Sequence, residues 1–569
     1  MNAQRAKPPS ALPRNRSFWL AVAAVLALAL ALRIIPLTLK APWMDEAATT
    51  IFSLGNSSRS MPVNQLVDLQ SFLRPLTGRP WADPAAVLHH LINEDNHPPL
   101  YFLLAHGWHY LLQPGSELAS IGISRLLPAL FGVLAVPLSL WTGWLALGTR
   151  RGALLSGLWM AISPLAVAQS LEIRHYSLAI VLSAASLLCF VKTWSLDQQG
   201  KRLPMSWLLG WLGINATGVA THYFFVFALL MQLASTALLM RRNSRAWAAL
   251  LASMASAALW LPLLSNFAGS SQSSWLKLDP TNIASLLAIP LQALVGVLFN
   301  AVAPGTYAVH VWQWPFAISA GLATLAGLAL LVRLLLQTCK RGGTGTSGSA
   351  LQMFAVLVGS GLVVQIGISL GMLSDYTKGF RYSFFLISPA VALLASLCEQ
   401  VWRQRRSQAD SAVMALLACG LICAAGVDAG AVLPKWYAGD LLVQRIAQES
   451  ENPIVLAYDH IPVSTGPMVI GLEPLSVAWW IGQHPQLQSS LRKAGTPVRL
   501  AMAIDGPGMP GANRTEAKAA LEAIPTAFDL WAIGGNPETF TTQRCDLRSR
   551  GSEGSHSFSH YRCKAPSTP

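Results

Sequence analysis

The sequence has little charge for its length. Of its 569 residues only 12% are charged, while 53% are hydrophobic, and a soluble protein usually carries about 25% charged residues. The few charges are concentrated between apolar runs of about 20 residues, the length at which a helix spans a bilayer. This composition excludes a soluble globular protein and predicts a polytopic membrane protein.

Acidic residues are scarcer than basic ones, so that the net charge is +14. A nucleic-acid-binding surface is one explanation for such a charge, but the basic residues are distributed among short loops between apolar runs. Because cytoplasmic loops of membrane proteins are rich in Lys and Arg, this distribution indicates topology and predicts no nucleic-acid partner. These basic residues are Arg14, Arg16, Arg150, Arg151, Lys201, Arg202, Arg241, Arg242, Arg245, Lys340, Arg341, Arg403, Arg405 and Arg406.

Cysteines are also few, and their spacing does not indicate a metal cluster. Five of the seven lie in or beside apolar segments, where a cysteine behaves as a small buried hydrophobe. Cys545 and Cys563 lie instead in a polar tail. If this tail is outside the cytoplasm, a disulfide between them is expected.

The alternation of basic loops fixes the start of the topology. The run 18–36 lacks a cleavage site and is too long for a typical signal peptide, so we expect an uncleaved span preceded by a cytoplasmic segment 1–17. The basic pair at 150–151 should again be inside, although two apolar stretches precede it. The stretch 100–112 is too short to span, so we predict an interfacial or re-entrant helix within a large outer loop, 37–120.

Continuing the alternation gives about eleven spans in a membrane domain, 18–432, and places residues 433–569 outside. The stretch 283–299 must then be re-entrant, or half of a missed pair of spans. The predicted spans are 18–36, 121–147, 152–169, 177–193, 205–220, 224–240, 246–265, 313–336, 351–373, 382–398 and 411–432.

The tail changes character. Short apolar runs at 453–458, 498–503 and 528–533 predict strands, and a capping signal before 515–524 predicts a helix. The fold class is therefore an α-helical polytopic membrane protein with a small extracytoplasmic α/β domain at its C-terminus.

Ionisable residues beside membrane spans are costly and are therefore functional candidates. Five polar clusters fall where the predicted spans reach the outer face. Their residues are Asp45 and Glu46; Glu94 and His97; Glu172, Arg174, His175 and Tyr176; His222; and Lys378, Arg381 and Tyr382.

Two of these clusters differ in charge. Asp45 and Glu46 could bind a cation, or one could act as a general base while the other orients it; a solvated loop start is the alternative. Lys378 and Arg381 lie where positive charge is otherwise sparse and are suited to a lipid phosphate at headgroup level. Carboxylates that activate a hydroxyl and cations that stabilise a leaving phosphate indicate group transfer from a lipid-linked donor.

The other clusters leave more alternatives open. The segment containing Glu94 and His97 also fits a helix-capping turn. Glu172, Arg174 and His175 suggest anion binding or metal ligation, although Glu172 and Arg174 could simply pair with each other. A residue such as His222 among aromatic neighbours is more typical of an aromatic belt at the membrane interface.

Five stretches carry a resemblance to a known family. They are Asp45-Glu46, His97-Pro98-Pro99-Leu100-Tyr101, Ser124-Arg125-Leu126-Leu127-Pro128, Glu172-Ile173-Arg174-His175-Tyr176 and Arg381-Tyr382. In their order and topology they resemble the lipid-phosphate-sugar-dependent glycosyltransferases of the membrane C fold. The most similar family is glycosyltransferase family 39, which includes protein O-mannosyltransferases and the aminoarabinose transferase that modifies lipid A.

The resemblance implies roles for several residues. Asp45 would be the catalytic carboxylate, supported by Glu46, while His97 and Glu172 would line the pocket. Arg381, with Lys378, would hold the donor phosphate. Some relatives use a divalent metal, for which Asp45 and Glu172 are the candidate ligands. The tail resembles no stretch of the family.

The leading hypothesis is thus a hexosyl- or pentosyltransferase in the cytoplasmic (inner) membrane. It would move a sugar from a polyprenyl-phosphate donor to a hydroxyl of a lipid, glycan or protein on the outer face. A transporter or flippase is the alternative, and it would place ionisable residues near the bilayer midplane and show internal repeats. A non-catalytic scaffold would leave the outer clusters unexplained.

Overall fold

The computed structural model of the chain forms two compact units. The membrane unit comprises the described residues among 1–37, 125–265 and 276–434, and the α/β unit comprises those among 38–124, 266–275 and 435–569. The residues that the structure describes are 15–78, 83–262, 275–303, 305–306, 308, 310–341, 346–403, 407–432, 438–460, 472–504, 514–534, 540 and 542–566.

Helices predominate along the chain. They are α1 (Arg16–Ile34), α2 (Met44–Ser53), α3 (Leu69–Leu73), α4 (Pro84–Glu94), α5 (Leu100–Leu112), α6 (Ile121–Leu147), α7 (Arg150–Ile162), α8 (Pro164–Ser170), α9 (Tyr176–Asp197), α10 (Met205–Thr221), α11 (Phe225–Leu239), α12 (Ser244–Ala258), α13 (Ile283–Leu298), α14 (Trp314–Arg341), α15 (Thr346–Gly371), α16 (Phe384–Arg403), α17 (Ser407–Asp428), α18 (Gly439–Glu449), α19 (Leu472–Gln483), α20 (Pro485–Leu491) and α21 (Arg514–Glu522). The strands are β1 (Leu66–Asp68), β2 (Ile454–His460), β3 (Arg499–Ile504), β4 (Phe528–Gly534), β5 (Cys545–Glu553) and β6 (His556–Cys563).

Seven helices among the described residues are long and apolar enough to cross a membrane, namely α1, α6, α9, α14, α15, α16 and α17. The pair α7 and α8, bent by 54°, would make an eighth span. Since backbone polar groups in lipid must be satisfied within the segment, such apolar runs are stable there as helices. The chain is a polytopic membrane protein, and the count of eleven spans stays a prediction.

The spans predicted between residues 205 and 265 are shorter helices that polar side chains join to one another. Three of them, α10, α11 and α12, have 17, 15 and 15 residues. The Oγ of Ser186 on α9 accepts hydrogen bonds from Trp211 (3.0 Å) and Gln232 (2.9 Å) and donates to Asn215 (2.7 Å). Asn215 in turn donates to Ser253 at 3.0 Å. Hydrogen bonds of this kind hold apolar helices together where there is no hydrophobic driving force between them.

The α/β unit is built on one six-stranded sheet with the order β1-β3-β2-β4-β6-β5. β2 is parallel to both β3 and β4, and the other pairs are antiparallel. The strands predicted at 453–458, 498–503 and 528–533 are present as β2, β3 and β4. β1, however, comes from the predicted outer loop. That loop and the tail therefore share one sheet and fold as one unit.

The last two strands close the sheet with a hairpin that the sequence did not predict. Its ends, Cys545 on β5 and Cys563 on β6, lie opposite each other in the register. The structure joins them by a disulfide. The placement of this unit outside the cytoplasm, where disulfides persist, stays a prediction.

A buried carboxylate ties β4 to its neighbours. Asp529 accepts hydrogen bonds from the backbone N–H groups of Asn452 (2.7 Å) and Glu451 (2.8 Å), and its other oxygen lies 3.2 Å from Nε2 of His560. Burial alone would raise the pKa of Asp529, but the hydrogen bonds from His560 and the backbone outweigh it and lower the pKa to about 2. The ionised form thus stabilises the fold.

We expect Asp529→Asn to lower the free energy of unfolding of the α/β unit by about 1–2 kcal/mol at pH 7. The hydrogen bonds that lower the pKa of Asp529 stabilise its ionised form in the native state alone. This gain is complete above the unfolded-state pKa near 3.8 and is lost as the pH falls toward 2. Thermal unfolding of the two proteins between pH 7 and pH 2 measures it. The control is Asp546→Asn, because Asp546 forms an exposed pair with Lys564 and such pairs contribute little. Equal effects of the two substitutions would contradict the prediction.

Candidate functional site

The acidic pair Asp45–Glu46 lies in the first turn of α2, where the helix dipole favours negative charge. The two carboxylates differ in their surroundings. Glu46 is buried and accepts a hydrogen bond from the backbone N–H of Trp43 at 3.1 Å, so it caps the helix. Asp45 is half-buried at the preceding position. The structure therefore gives Glu46 the task of fixing the helix start that presents Asp45.

Glu94, which is predicted to contact substrate, is buried within the α/β unit. Its oxygens accept hydrogen bonds from Ser57 Oγ (2.7 Å) and from both the N–H and Oγ of Ser58 (3.1 Å each). The ring of His90 lies 2.7 Å away. These contacts tie the segment after α2 to the end of α4. The structure assigns Glu94 a structural role, and the substrate contact stays a prediction.

His97 is oriented by a neighbour that was not among the predicted site residues. Its Nδ1 lies 2.9 Å from the carboxylate of Asp95, which also accepts the N–H of Asn96 at 2.8 Å. The pairing places the Nδ1 proton between ring and carboxylate, so that Nε2 is the acceptor in the neutral ring. His97 is thereby held in one orientation at the entry to α5.

In the membrane unit, the turn after α8 brings three predicted residues together. Leu171 to His175 connect α8 to α9, and the turn is tightened by a 2.6 Å hydrogen bond from the N–H of Arg174 to Glu172 O. Arg174 and His175 are buried, while Glu172 is half-buried. His175 precedes the first residue of α9, Tyr176, and their rings lie 4.6 Å apart.

His222, for which an aromatic-belt position was favoured, is buried against this turn. Its ring lies 4.5 Å from that of His175 and 5.3 Å from that of Tyr176. The Nδ1 of His222 accepts a hydrogen bond from the N–H of Phe224 at 3.0 Å. Nδ1 of His222 is therefore the acceptor atom in this arrangement.

The segment before α16 is fixed by a buried carboxylate and by a glutamine on α15. Asp375 accepts hydrogen bonds from the N–H and Oγ1 of Thr377. Gln365 on α15 donates to the carbonyl of Tyr376 at 3.1 Å and to Ser383 at 3.0 Å. With its backbone held in this way, the segment exposes Lys378.

Two guanidinium groups approach one aromatic cluster. Arg174 lies over the ring of Tyr176 at 5.9 Å, and Arg381 lies over the ring of Tyr382 at 5.2 Å. The rings of Tyr176 and Tyr382 are 6.4 Å apart, and Phe224 is 4.9 Å from Tyr382. The fold thus joins residues that are more than 200 positions apart in the sequence into one cationic, aromatic site.

No metal centre is formed among the residues described: no three His, Cys, Asp or Glu side chains lie close enough together to bind an ion. Asp45 and Glu172 belong to different units, and their assignment as metal ligands stays a prediction.

Comparison with solved structures finds distant similarity. The chain is similar to two kinds of lipid-phosphate-binding membrane protein. One is ArnT from Cupriavidus metallidurans bound to undecaprenyl phosphate, with 12% identity and a TM-score of 0.46 over 96% of this chain and 98% of that one. The other is the oligosaccharyltransferase AglB from Archaeoglobus fulgidus in complex with an inhibitory peptide and a dolichol-phosphate, with 13% identity and a TM-score of 0.44 over 91% of this chain and 69% of that one.

No family model matches the chain, and no curated protein matches it. TM-scores below 0.5 at such low identity do not assign an activity or site residues to this chain. Its function is therefore argued from its own side chains.

Sequence reasoning missed three contributors to these sites. Asp95 was not among the predicted site residues, although its two-residue spacing to His97 could have indicated the pair. Tyr376 and Phe224, whose rings are 5.0 Å apart, were indistinguishable from other aromatic residues near span ends. Only their packing places them in the cluster.

Proposed function

We propose that this protein is an inverting glycosyltransferase that moves a sugar from a polyprenyl-phosphate donor to an acceptor hydroxyl on the outer face of the cytoplasmic membrane. The observation that supports it most strongly is the pair of guanidinium groups, Arg174 and Arg381, over the two neighbouring rings of Tyr176 and Tyr382. Guanidinium groups bind phosphate oxygens with charge-assisted, often paired hydrogen bonds.

The donor phosphate would bind at this cluster. Arg381 and the exposed Lys378 belong to one short segment, so both can contribute to a phosphate at the lipid headgroup level. His222, whose ring packs against those of His175 and Tyr176, would line the same pocket. Positive charge aimed at the leaving oxygen stabilises the phosphate as its bond to the sugar breaks.

The acceptor would be activated by Asp45. Its carboxylate removes the proton of the acceptor hydroxyl while that oxygen forms a bond to the anomeric carbon. The bond from this carbon to the phosphate oxygen breaks at the same time, and the polyprenyl phosphate leaves as an anion. Attack opposite the leaving group inverts the anomeric centre. Glu46 fixes the first turn of α2 and touches neither substrate.

The sugar is either a hexose or a pentose in this proposal, and the acceptor hydroxyl belongs to a lipid, glycan or protein. His97, oriented by Asp95, would contribute a polar contact to a substrate. Glu172 at the turn before α9 would contact sugar hydroxyls. A divalent ion, if one is used, would bind at Asp45 or Glu172 and neutralise phosphate charge.

The test uses the purified full-length protein with radiolabelled polyprenyl-phosphate sugars and candidate acceptors. Release of polyprenyl phosphate only when an acceptor is present, with label transferred to that acceptor, is the expected result. Movement of intact donor across vesicle membranes without release of phosphate would instead identify a flippase. Release of phosphate at equal rates with and without acceptor would also contradict the proposal.

A further inference from the structure

A buried arginine lies at the end of the first span. The guanidinium of Arg33 on α1 has no exposed surface. It donates hydrogen bonds to the carbonyls of Ala161 (2.9 Å), Met160 (3.2 Å) and Ala29 (3.3 Å), and to Ser170 Oγ (3.3 Å). A charged group within a membrane unit is costly, so a group satisfied so completely has a specific task.

That task is at the break between α7 and α8. In a continuous helix the carbonyl of Met160 would accept the N–H of residue 164, but Pro164 has none. The carbonyl of Ala161 would accept the N–H of Leu165, which here donates to Phe299 O at 3.2 Å instead. The bend of 54° thus leaves two carbonyls without helical partners, and Arg33 binds both.

The other side of the break contacts the end of α13. Ser163 donates to Asn300 at 3.1 Å, and the donation from Leu165 N–H to Phe299 O lies next to it. The ring of Phe299 lies 4.6 Å from that of Phe380, which directly precedes Arg381. The same junction is therefore connected to both segments of the cationic site. It reaches Arg381 through Phe299 and Phe380, and it reaches Arg174 through Ser170, which directly precedes the turn that carries Arg174.

A close approach of a third helix completes this junction. A Cβ at Gly132 on α6 would collide with Ser170 Oγ and lie 2.7 Å from Nε of Arg33. Only glycine fits here without displacing one of these two side chains. By contrast, a Cβ at Gly157 on α7 would meet only the side chains of Leu140 and Val136, at 3.4 Å or more.

We infer that Arg33 is a positioning residue that sets the geometry between the two phosphate-binding segments, 171–176 and 377–382. It acts through the break between α7 and α8 and contacts no substrate. The part of this inference that concerns phosphate rests on the proposed function. The structural part, a coupling between the two segments, does not.

The experiment compares Arg33→Lys, Gly132→Ala and, as the matched control, Gly157→Ala in the full chain. Lysine keeps the charge, but its single ammonium group cannot bind carbonyls and Ser170 in the planar arrangement of a guanidinium. Gly132→Ala leaves the Arg33 side chain chemically unchanged but pushes it away from its position beside Ser170. Amide hydrogen exchange of segments 171–176 and 377–382, the thermal unfolding temperature, and kcat and KM for the donor are measured.

We expect faster amide exchange in both segments for Arg33→Lys and Gly132→Ala. Exchange in Gly157→Ala should equal that of the wild type. The unfolding temperatures of all three variants should be close to that of the wild type. Donor kcat/KM should fall roughly tenfold in the same two variants, while the acceptor KM stays unchanged. Changed exchange in a protein that transfers no sugar would refute the proposed function and leave the coupling intact. Exchange that changes only near residues 160–170, or loss of the folded protein in both variants, would overturn the inference.

Discussion

Asp45→Asn is expected to lower kcat for sugar transfer by about 10²–10⁴-fold, the usual contribution of a general base. Asparagine has nearly the same shape as aspartate, but its amide cannot accept the proton of the acceptor hydroxyl. The KM for the donor should change little, because the donor phosphate binds elsewhere in the proposal. Transfer of radiolabelled sugar, measured over a range of donor and acceptor concentrations, separates these effects.

The neighbouring carboxylate provides the matched control. Glu46→Gln removes a charge next to Asp45 but keeps an oxygen that can accept the N–H of Trp43, the bond that caps α2. Its activity should therefore stay within a few-fold of the wild type. A loss as large as that of Asp45→Asn would assign the chemistry to the pair, and equal turnover by wild type and Asp45→Asn would remove Asp45 from the mechanism.

Arg381→Gln should have the second-largest effect, a reduction of donor kcat/KM by about 10–10³-fold, because it removes a guanidinium that stabilises the leaving phosphate. Arg381→Lys should recover part of the loss, since it keeps the charge but not the planar arrangement that pairs with phosphate and stacks on Tyr382. Steady-state kinetics with varied donor, and binding of polyprenyl phosphate without acceptor, measure the two contributions.

A second cation–aromatic pair in the membrane unit serves as the control. Lys192 lies over the ring of Trp207 at 5.8 Å, toward the end of α9 opposite Tyr176. Lys192→Gln removes one positive charge from α9 at a distance from the cluster, and donor kinetics should be unchanged. If both substitutions reduced kcat/KM equally, the effect would come from overall charge or stability, and a specific phosphate contact at Arg381 would be refuted.

Helices and strands were largely predictable because their signals are local. The apolar runs around residues 18–36, 121–147 and 177–193 correspond to α1, α6 and α9 to within a few residues at most ends. The run 100–112 is α5 with the same bounds. In each case the length and composition of one segment decide its structure, and no distant residue is needed.

The candidate site was predictable as a set of residues but not as an arrangement. Sequence order selected Arg174, His175, His222 and Arg381 because each lies at the end of an apolar run. The proximity of the rings of His175 and His222 depends on how α9 and α10 pack, because these residues flank the two helix ends, and no local pattern contains that information.

What the sequence by itself determined is the class of this protein: a polytopic membrane protein with polar clusters at its span ends and an α/β tail. Tertiary structure alone decided that β1, three residues of the loop, completes the sheet of the tail, because so short a strand is stabilised only by its pairing with β3. It also decided which donors surround Glu46 and Glu94, because the N–H and O–H groups that their carboxylates accept from come from neighbouring turns of the fold. The role of Arg33 was decided in the same way. Its guanidinium binds the carbonyl of Met160, which has no helical partner because Pro164, 131 positions after Arg33, lacks an N–H.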